Sequence, residues 1–270
     1  MIEKKYHTGQ VELNYGEGVT NGFPMMLIHG SGSIWQDWEP VIEAFSAGNH
    51  LFAVDLRGFG GSGRIAGSYD ITTFTDDMAD FIKGVVPLPP VVVGHSLGAL
   101  ITIDLAGRYP GLVRGVVLED PPVSLLEDLE QWDGWRYFEM ALEMIRNSTS
   151  RQDAIALFID GAGYSLSEAE RAARNLEVID PEIIEQIMRG RIIKLKEDVP
   201  TALGHIQCPS LFISSDFHLG SLVKPEDLPE VQKKLRNGVM ALVKDVGHSI
   251  HMESAQVFNQ VLGDFLTRLE

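Results

Sequence analysis

Short apolar runs alternate with longer segments of helical periodicity over roughly the first 120 residues of the chain. Apolar and β-branched runs of strand length are typical of buried strands, and apolar positions spaced three or four apart are typical of helices. The predicted strands are Met25 to Ile28, Leu51 to Asp55, Val91 to Val93 and Val113 to Leu118, and the predicted helices between them are Asp37 to Phe45, Thr72 to Val85 and Leu97 to Tyr109. This order predicts βαβ units and a mostly parallel central sheet flanked by helices.

The alternation stops after Asp120, and up to about residue 206 the pattern is almost entirely helical. The helices predicted there are Trp132 to Arg146, Arg151 to Ile159, Leu166 to Leu176 and Pro181 to Leu195. Strand and helix patterns then resume at Ser210 to Ser214, Val239 to Val243 and Ala255 to Leu269. We therefore predict one α/β core, residues 1–120 and 207–270, with a helical cap, residues 121–206, inserted into it.

Local signals mark the ends of several elements. A hairpin is expected from Tyr6 to Tyr15, and Thr72 or Thr73 is expected to cap the second helix. Pro110-Gly111 should stop the third helix. Ser165 followed three residues later by Glu168 forms a capping box, which supports a helix start in the cap.

The charge balance excludes some partners. Lys and Arg number 22 and Asp and Glu number 38, so the formal net charge is −16 over 270 residues. Such a surface repels nucleic acid and anionic lipid, so we expect neither as a partner. It also disfavours polyanionic substrates, although salt screens this effect beyond about 8–10 Å.

The chain shows no segment typical of export or membrane insertion. The charged N-terminus has no apolar run behind it, and no stretch approaches the roughly 18 apolar residues of a transmembrane helix. Cys208 is the only cysteine and precedes an apolar run, so we expect a buried, inert thiol. These features fit a cytoplasmic location.

A strand-to-helix turn carries the first candidate catalytic residue. The predicted strand Val91 to Val93 runs directly into Gly94-His95-Ser96-Leu97-Gly98, and a predicted helix follows. This is a G-x-S-x-G motif between a strand and a helix, the position in which it presents a nucleophilic serine. The glycines on either side of Ser96 let neighbouring backbones pass in a tight turn. We expect Ser96 to be the nucleophile and the Leu97 N–H to face developing negative charge.

A serine hydroxyl needs a base, and His248 is the histidine best placed to supply one. It lies in a loop after the last predicted strand, and such loops lie at the carboxyl edge of a parallel sheet, where Ser96 also emerges. His251 is the second choice. The other histidines considered are His7 and His50 in predicted surface segments, His95 inside the turn and His205 in a connection.

At this point the chain resembles the α/β-hydrolase family along nearly its whole length. The matching motifs, besides the Ser96 turn, are His29-Gly30-Ser31-Gly32, Trp38, Asp55 to Ser62 and Gly247-His248. The resemblance implies an α/β-hydrolase fold with an inserted helical cap and a Ser–His–acid triad. It also implies an oxyanion hole made by the backbone N–H groups of Leu97 and Ser31.

Two aspartates compete for the acid of the triad. In the family the acid usually lies in a Gly-x-x-Asp turn after the strand that follows the cap. Residues 215–218 occupy that turn here and put His218 at the usual aspartate position. Asp216, at the strand end, is the first choice, and Asp120, at the tip of the preceding strand, is the second. Glu119 ranks third because strand alternation points it to the other face.

The glycine-rich loop from Asp55 to Ser62 is interpreted as structural. Asp55 and Arg57 are expected to pair and brace the turn. The loop lacks the Gly-Lys-Ser/Thr of a phosphate-binding loop, and the dinucleotide-binding glycine spacing is absent after the first parallel strand. No His-Glu-x-x-His or paired-cysteine pattern occurs. We therefore expect no cofactor and no metal.

Aromatic and methionine side chains are concentrated in the predicted cap. They are Trp132, Trp135, Tyr137, Phe138, Met140, Met144, Phe158 and Tyr164. Most are expected to pack inside the cap, but a lid over Ser96 must show some apolar surface to the cleft. We therefore expect a small-molecule substrate with a moderately hydrophobic acyl or ring-bearing part.

The leading hypothesis is a cofactor-free serine hydrolase of small carboxylic esters or lactones, acting as a monomer or homodimer. An aspartate nucleophile is typical of haloalkane dehalogenases and epoxide hydrolases, so Ser96 argues against both. A carbon–carbon bond hydrolase, a lyase and a perhydrolase of the same fold use the same Ser–His pair. The alternatives of another class are a ligand receptor or regulator with slow turnover and a non-catalytic scaffold.

Overall fold

A computed structural model describes residues 1–123 and 135–269. Its strands are β1 (Ile2–His7), β2 (Glu12–Glu17), β3 (Phe23–Ile28), β4 (Asn49–Val54), β5 (Val91–His95), β6 (Gly115–Glu119), β7 (Ser210–Ser214) and β8 (Gly238–Leu242). They form one eight-stranded sheet in the order β1-β2-β4-β3-β5-β6-β7-β8.

Helices cover both faces of the sheet and one edge. In the core they are α1 (Glu39–Phe45), α2 (Ile71–Val85), α3 (Leu97–Arg108), α9 (Leu228–Lys234), α10 (Ile250–Glu253) and α11 (Ala255–Leu266). Between β6 and β7 they are α4 (Trp135–Arg146), α5 (Arg151–Ala162), α6 (Leu166–Leu176), α7 (Pro181–Met188) and α8 (Val199–Leu203). Short 3₁₀ helices lie at Trp35–Trp38, Phe217–Leu219 and Pro225–Asp227. We refer to α4–α7 as the cap helices.

The sheet is parallel from β4 through β8 in the sheet order, whereas β1 pairs antiparallel with β2, and β2 pairs antiparallel with β4. The carboxyl ends of parallel strands meet at one edge of a sheet. The residues that follow β5, β6 and β7 at this edge include Ser96, Asp120 and Asp216, and the loop after β8 carries His248. The fold therefore brings all four candidate triad residues to the same edge.

Successive strand residues pack on opposite faces, as the two-residue period of a strand requires. Met26 and Phe52 lie in the larger core with the apolar sides of α2, α3 and the cap helices. Met25 and Leu51 lie in a smaller core that includes Trp38 and the apolar side of α11. The long apolar strands are buried on both faces, which explains their nearly continuous hydrophobic pattern.

Several element ends differ from the predictions. The predicted hairpin is present as β1 and β2 but is longer. Helix α2 is capped by Asp70, whose Oδ1 accepts from the Thr73 N–H at 2.9 Å, so neither threonine is the cap. Helix α7 ends at Met188 and not at residue 195, and Gly190 just beyond it has a φ of +65°, which breaks the helix.

The predicted capping box in the cap is confirmed. The Ser165 hydroxyl accepts from the Glu168 N–H, and the Glu168 carboxylate accepts from the Ser165 N–H at 2.8 Å. Helix α3 ends at Arg108, next to the predicted Pro110-Gly111 stop. The first residues of the predicted helix at 132–146, including Trp132, lie outside the described residues.

Within residues 1–123 and 135–269, no helix is both long enough and apolar enough to cross a bilayer. Cys208 has no disulfide partner and is half-buried. Burial raises the pKa of its thiol to about 11, so the thiol stays protonated near neutral pH. This is the environment expected of an inert cysteine.

Candidate active site

Ser96 lies at the junction of β5 and α3 in a strained backbone conformation. Its φ is +52° and its ψ is −113°, a region that L side chains rarely adopt. A Cβ on Gly94 would lie 2.3 Å from the Gly98 carbonyl oxygen, and a Cβ on Gly98 would lie 2.2 Å from the Ile28 carbonyl oxygen. Only glycine fits at both positions, so the two glycines permit the turn that presents the Ser96 side chain.

His248 is paired with Asp120. The His248 Nδ1 and the Asp120 Oδ2 are 2.7 Å apart, and the carboxylate is completely buried while the imidazole is 18% exposed. Because a carboxylate accepts, Nδ1 carries the hydrogen and donates it, which leaves Nε2 as the basic nitrogen of the neutral ring. His248 and Ser96 line the same cavity.

Further donors fix the Asp120 carboxylate. Oδ1 accepts from the Ser221 hydroxyl at 2.6 Å, and Oδ2 also accepts from the Leu222 N–H at 2.9 Å. A longer bond of 3.3 Å joins the Ser215 N–H to Oδ1. The backbone of Asp120 has a φ of +46°, so the chain turns sharply out of β6 at this residue. Together these contacts hold a charged group where burial alone would disfavour it.

Asp216 lies at the same edge of the sheet, but its carboxylate caps a helix and His248 pairs with Asp120. The preference for Asp216 over Asp120 as the partner of His248 is therefore wrong. The Asp216 Oδ1 accepts from the His218 N–H at 3.0 Å and caps the 3₁₀ helix that follows β7. The chain then loops back, and it is the next segment, Ser221 and Leu222, that reaches the edge of the sheet and contacts Asp120. Its hydrogen bond to the His218 N–H thus holds the Asp216 carboxylate in a local cap and not on His248.

The loop after β3 packs directly on the nucleophile turn. A Cβ on Gly30 would lie 3.0 Å from the Ser96 Cβ, so the two backbones are in close approach and Ser31 lines the cavity beside Ser96. His29 braces this loop: Nδ1 donates to the Gly30 carbonyl at 2.8 Å, and Nε2 accepts from the Leu56 N–H at 3.1 Å. Burial lowers the pKa of His29 and keeps it in this neutral form.

A second histidine–carboxylate pair lies behind the first. The His251 Nδ1 and backbone N–H both donate to Glu119, at 2.9 Å and 2.8 Å, and both side chains are buried. The His251 ring stacks on Trp38 with ring centres 4.1 Å apart. The prediction that Glu119 faces away from Asp120 agrees with this arrangement. His251, the second choice for the base, is therefore committed to a buried pair.

His95 connects the two pairs. Its Nε2 donates to the His248 carbonyl oxygen at 3.1 Å, and its ring lies 4.6 Å from the ring of His248 and 5.0 Å from that of His251. Burial, and then the neighbouring His248 and His251, hold the pKa of His95 well below its usual range. A neutral His95 thus supports the backbone of the loop that carries His248.

The buried residues His95, Glu119 and His251 are of types that can bind a metal ion. Ligand atoms of His95, Glu119 and His251 lie within 4.8 Å of one another in the described part of the chain. The Glu119 carboxylate, however, already accepts from His251, and the His95 Nε2 already donates to a carbonyl oxygen. These contacts make the cluster a brace beneath the His248 loop.

Three other histidines lie outside this cluster of rings. His7 and His205 are exposed, and His205 Nε2 lies 2.9 Å from Glu197. His50 is buried in β4, with Nε2 2.9 Å from Glu17, so its predicted surface position is wrong. His50 belongs to β4, and the neighbouring strand β2 carries its partner Glu17.

The glycine-rich loop after β4 is structural, but its predicted ion pair is wrong. Arg57 is buried and donates from Nε and a terminal nitrogen to the carboxylate of Asp77 in α2, at 2.5 Å and 2.7 Å. Asp55 accepts instead from the Trp35 N–H, the Gly61 N–H and the Asn14 side chain. Both side chains tie the loop to its neighbours, through partners that sequence proximity did not indicate.

A cavity of about 590 Å³ opens above Ser96 between the sheet edge and the cap helices. Of the aromatic and methionine residues predicted for this region, Tyr137, Phe138 and Tyr164 line it, while Trp135, Met144 and Phe158 are buried among the cap helices. Asn175, Arg136, Arg171, Leu222 and Ile193 also reach the cavity wall. The wall is therefore partly apolar, as predicted, and partly polar.

A sequence model of the alpha/beta hydrolase family matches residues 25–261. The chain belongs to the alpha/beta hydrolase family. The matched span contains β4 to β8, most of β3 and each candidate triad residue, so the resemblance seen in the motifs extends over nearly all of the parallel part of the sheet.

Proteins similar to this chain are named for several activities. A 2-(acetamidomethylene)succinate hydrolase of Mesorhizobium japonicum is 34% identical over 119 residues, which are 44% of this chain and only 42% of that protein. A pimeloyl-[acyl-carrier protein] methyl ester esterase of Nitrosospira multiformis is 28% identical over 252 residues, 89% of this chain and 92% of that protein. A solved E-2-(acetamidomethylene)succinate hydrolase has a TM-score of 0.79 at 21% identity, over 98% of this chain and 99% of that one, and so shares the fold.

The residues that hold the Asp120 carboxylate carry no recognisable signal in the sequence. Ser221 donates to Asp120 and is completely buried, but no motif surrounds it in the sequence. The Glu119-Asp120-Pro121 sequence at the end of β6 was the available signal for the acid. The sequence favours Asp216 over Asp120 because no sequence pattern shows the path of residues 217–222, which carries Ser221 and Leu222 to Asp120.

Proposed function

We propose that the protein is a serine hydrolase that cleaves carboxylic esters or lactones through an acyl-enzyme on Ser96. The observation that carries this proposal is the 2.7 Å contact between His248 Nδ1 and Asp120 Oδ2, on a cavity that Ser96 also lines. A buried carboxylate that fixes the tautomer of a histidine beside a strained serine is the arrangement that activates a hydroxyl nucleophile. The esterase relative from Nitrosospira adds support for ester substrates.

Acylation begins when the Ser96 Oγ attacks the substrate carbonyl carbon. His248 Nε2 accepts the hydroxyl proton, and the positive charge that develops on the imidazole is stabilised by Asp120 across the Nδ1 bond. The four donors to Asp120, including His248, keep its carboxylate fixed in position during this step. The substrate oxygen becomes an oxyanion.

In this scheme two backbone N–H groups, those of Leu97 and Ser31, bind that oxyanion. Leu97 is the first residue of α3, and the first N–H groups of a helix have no acceptor within it. Ser31 approaches from the loop after β3, which packs against the Ser96 turn. Where one such donor has been removed from other enzymes, the loss of transition-state stabilisation was about 3–4 kcal/mol.

The tetrahedral intermediate collapses when the bond to the leaving oxygen breaks. His248 returns its proton to the leaving alkoxide, which departs as an alcohol, or stays attached to the acyl chain when the substrate is a lactone. Water then attacks the acyl-enzyme with His248 again as the base, and the carboxylic acid product leaves Ser96 in its starting form. No metal or cofactor takes part in this scheme.

The cap helices give the cavity its substrate-facing wall. Phe138 of α4 supplies apolar surface, and Ile193 and Leu222 add to it from segments outside the cap helices. This surface suits a moderately hydrophobic acyl or ring-bearing group. The proposal treats residues 121–206 as a cap inserted into the core, and the substrate as a small molecule enclosed between them.

Hydrolysis of p-nitrophenyl butyrate and of a γ-lactone by the wild type and by Ser96→Ala tests the proposal. We expect Ser96→Ala to lose at least about 10⁴-fold in kcat. Ser33→Ala is the matched control, because Ser33 lines the same cavity without a role in the scheme. Equal hydrolysis by wild type and Ser96→Ala, or negligible turnover by the wild type together with ligand-induced stabilisation, would contradict the proposal.

A further inference from the structure

Two arginines of the cap helices line the cavity above Ser96. Arg136 projects from α4 and is exposed at the cavity mouth, and Arg171 projects from α6 and is half-buried. Neither makes a hydrogen bond or ion pair within residues 1–123 and 135–269.

Three other arginines of the cap helices are paired with carboxylates. Arg146 contacts Glu185, Arg151 contacts Glu177, and Arg174 contacts Asp37. The contrast is sharpest within α6, where Arg174 is held by the buried Asp37 while Arg171, one turn earlier, faces the cavity. Arg171 therefore makes no ion pair within residues 1–123 and 135–269, whereas Arg174 makes one.

The acidic side chains of the cavity wall are occupied by internal donors. Glu168 accepts from the hydroxyl and N–H of Ser165 at 2.6 Å and 2.8 Å, and these bonds, with the charge of Arg171, lower its pKa. Glu253 accepts from the N–H groups of Gly247 and Ser249 at 2.8 Å and 3.0 Å. Both carboxylates hold backbone turns, and neither forms an ion pair with Arg171.

Two tyrosine hydroxyls complete the polar part of the wall. The Tyr137 and Tyr164 rings stack on the two sides of Phe158, with ring centres 5.7 Å and 5.5 Å apart, so their positions are fixed. Burial raises the pKa of both phenols, which therefore remain hydrogen-bond donors at neutral pH, and the charge of Arg171 opposes that rise in each. Tyr137 Oη lies against Gly32, where a Cβ would be 2.6 Å away.

We propose that this wall binds a carboxylate of the substrate, with Arg171 as its charge partner and the Tyr137 and Tyr164 hydroxyls as further donors. Guanidinium groups bind carboxylates through two parallel hydrogen bonds, and a partly desolvated site strengthens them. The inference rests on the proposed hydrolysis at Ser96 and narrows its substrates to esters or lactones that carry a carboxylate. The overall negative charge acts against such substrates at long range, but the local charge of the wall decides their binding.

Matched pairs of esters test the inference. Monomethyl glutarate and methyl pentanoate have acyl chains of equal carbon number and differ in a terminal carboxylate, while acetoxyacetate and ethyl acetate place the same difference on the alcohol side. We expect the wild type to prefer the acidic member of at least one pair by about 10-fold or more in kcat/KM. Equal rates for the members of both pairs would overturn the inference.

Arg171→Gln identifies the group responsible. It should raise the KM for the preferred acidic ester by about 10- to 100-fold, change kcat much less, and affect the neutral partner far less than the acidic one. Arg171→Lys should recover part of the affinity. Arg189→Gln is the control, because Arg189 is an exposed cap arginine that pairs with Glu185 and lies outside the cavity wall. An Arg171→Gln enzyme that keeps the wild-type preference would overturn the assignment.

Binding without turnover separates this inference from the proposed function. Calorimetric titration of glutarate into Ser96→Ala and into Ser96→Ala/Arg171→Gln measures the anion site alone. We expect binding by the first protein and a loss of at least about 10-fold in affinity in the second. Hydrolysis of neutral esters without glutarate binding would refute only the anion site, and Arg171-dependent glutarate binding without hydrolysis of any ester would refute only the proposed function.

Discussion

Replacing each of the two competing aspartates by asparagine distinguishes their roles. Asp120→Asn and Asp216→Asn make the same chemical change at residues that both follow a central strand of the sheet. Asp120 contacts His248, whereas Asp216 caps a 3₁₀ helix through its Oδ1. Asparagine caps as well as aspartate does, so Asp216→Asn should keep its capping bond and change kcat by less than about 3-fold.

The loss expected for Asp120→Asn follows from its four donors. If the amide nitrogen takes the place of Oδ2, it faces the His248 Nδ1 and the Leu222 N–H, 2.7 Å and 2.9 Å from the present oxygen, so His248 must change tautomer. A wrong tautomer costs about 10⁴-fold in kcat in an enzyme with this arrangement. If the amide takes the place of Oδ1, the tautomer survives but the imidazolium loses its charged partner, worth about 1.5–3 kcal/mol or roughly 10- to 100-fold.

Steady-state kinetics with p-nitrophenyl butyrate measures these losses, and circular dichroism checks that both variants fold. We expect kcat of Asp120→Asn to fall by between about 10- and 10⁴-fold. A near-wild-type rate for Asp120→Asn, or an equal loss in folded Asp216→Asn, would refute the assignment of Asp120 as the partner of His248.

Three further predictions concern stability. Gly98→Ala places a Cβ 2.2 Å from a backbone oxygen of β3 and should lower the free energy of unfolding by at least about 1–3 kcal/mol, measured by thermal denaturation. The control is Gly263→Ala in α11, which has open space around the added Cβ and should be neutral or stabilising. Asp77→Asn leaves Arg57 buried without its charged partner and should cost about 3–5 kcal/mol in urea unfolding, with kcat of the folded fraction little changed. His95 is neutral in the fold and has a pKa below its usual 6.5, so its contribution is complete above that pH and is lost as the pH falls below it, by up to about 1.4 kcal/mol per pH unit. Urea unfolding between pH 8 and 5 that shows no such fall, or an equal fall in His95→Gln, would contradict the last prediction.

The parallel strands and the nucleophile turn could be predicted because they depend on local physics. Continuous apolar runs are required of strands buried on both faces, and the run Val91 to Val93 is followed at once by the glycines that the turn requires. The helix after residue 181 was predicted too long because apolar periodicity continues past Met188. The left-handed conformation at Gly190 ends it, and glycine alone does not reveal its φ.

Pairing between distant residues was harder to predict. Arg57 is two residues from Asp55, yet it pairs with Asp77, because the turn directs its side chain toward α2. Asp55 accepts from the Asn14 side chain and the Trp35 N–H of other segments, and from the Gly61 N–H of its own loop. Sequence proximity is thus a weak guide once a glycine-rich turn sets the directions of its side chains.

The composition of the cavity wall could not be read from the sequence either. The net charge of −16 indicated a molecule that repels anions, but it does not show that Arg174 is paired with Asp37 while Arg171 faces the cavity. Helix periodicity places both arginines near one another on α6, and only the packing against the core separates their roles.

Covalent labelling of Ser96 tests the central claim most directly. A fluorophosphonate reacts with a serine that is activated by a neighbouring base, and intact-protein mass spectrometry counts the adducts while peptide mapping locates them. We predict one adduct on wild-type protein, located at Ser96, with none on Ser96→Ala and much slower labelling of Asp120→Asn. An adduct at another residue, or equal labelling of Ser96→Ala, would contradict the account.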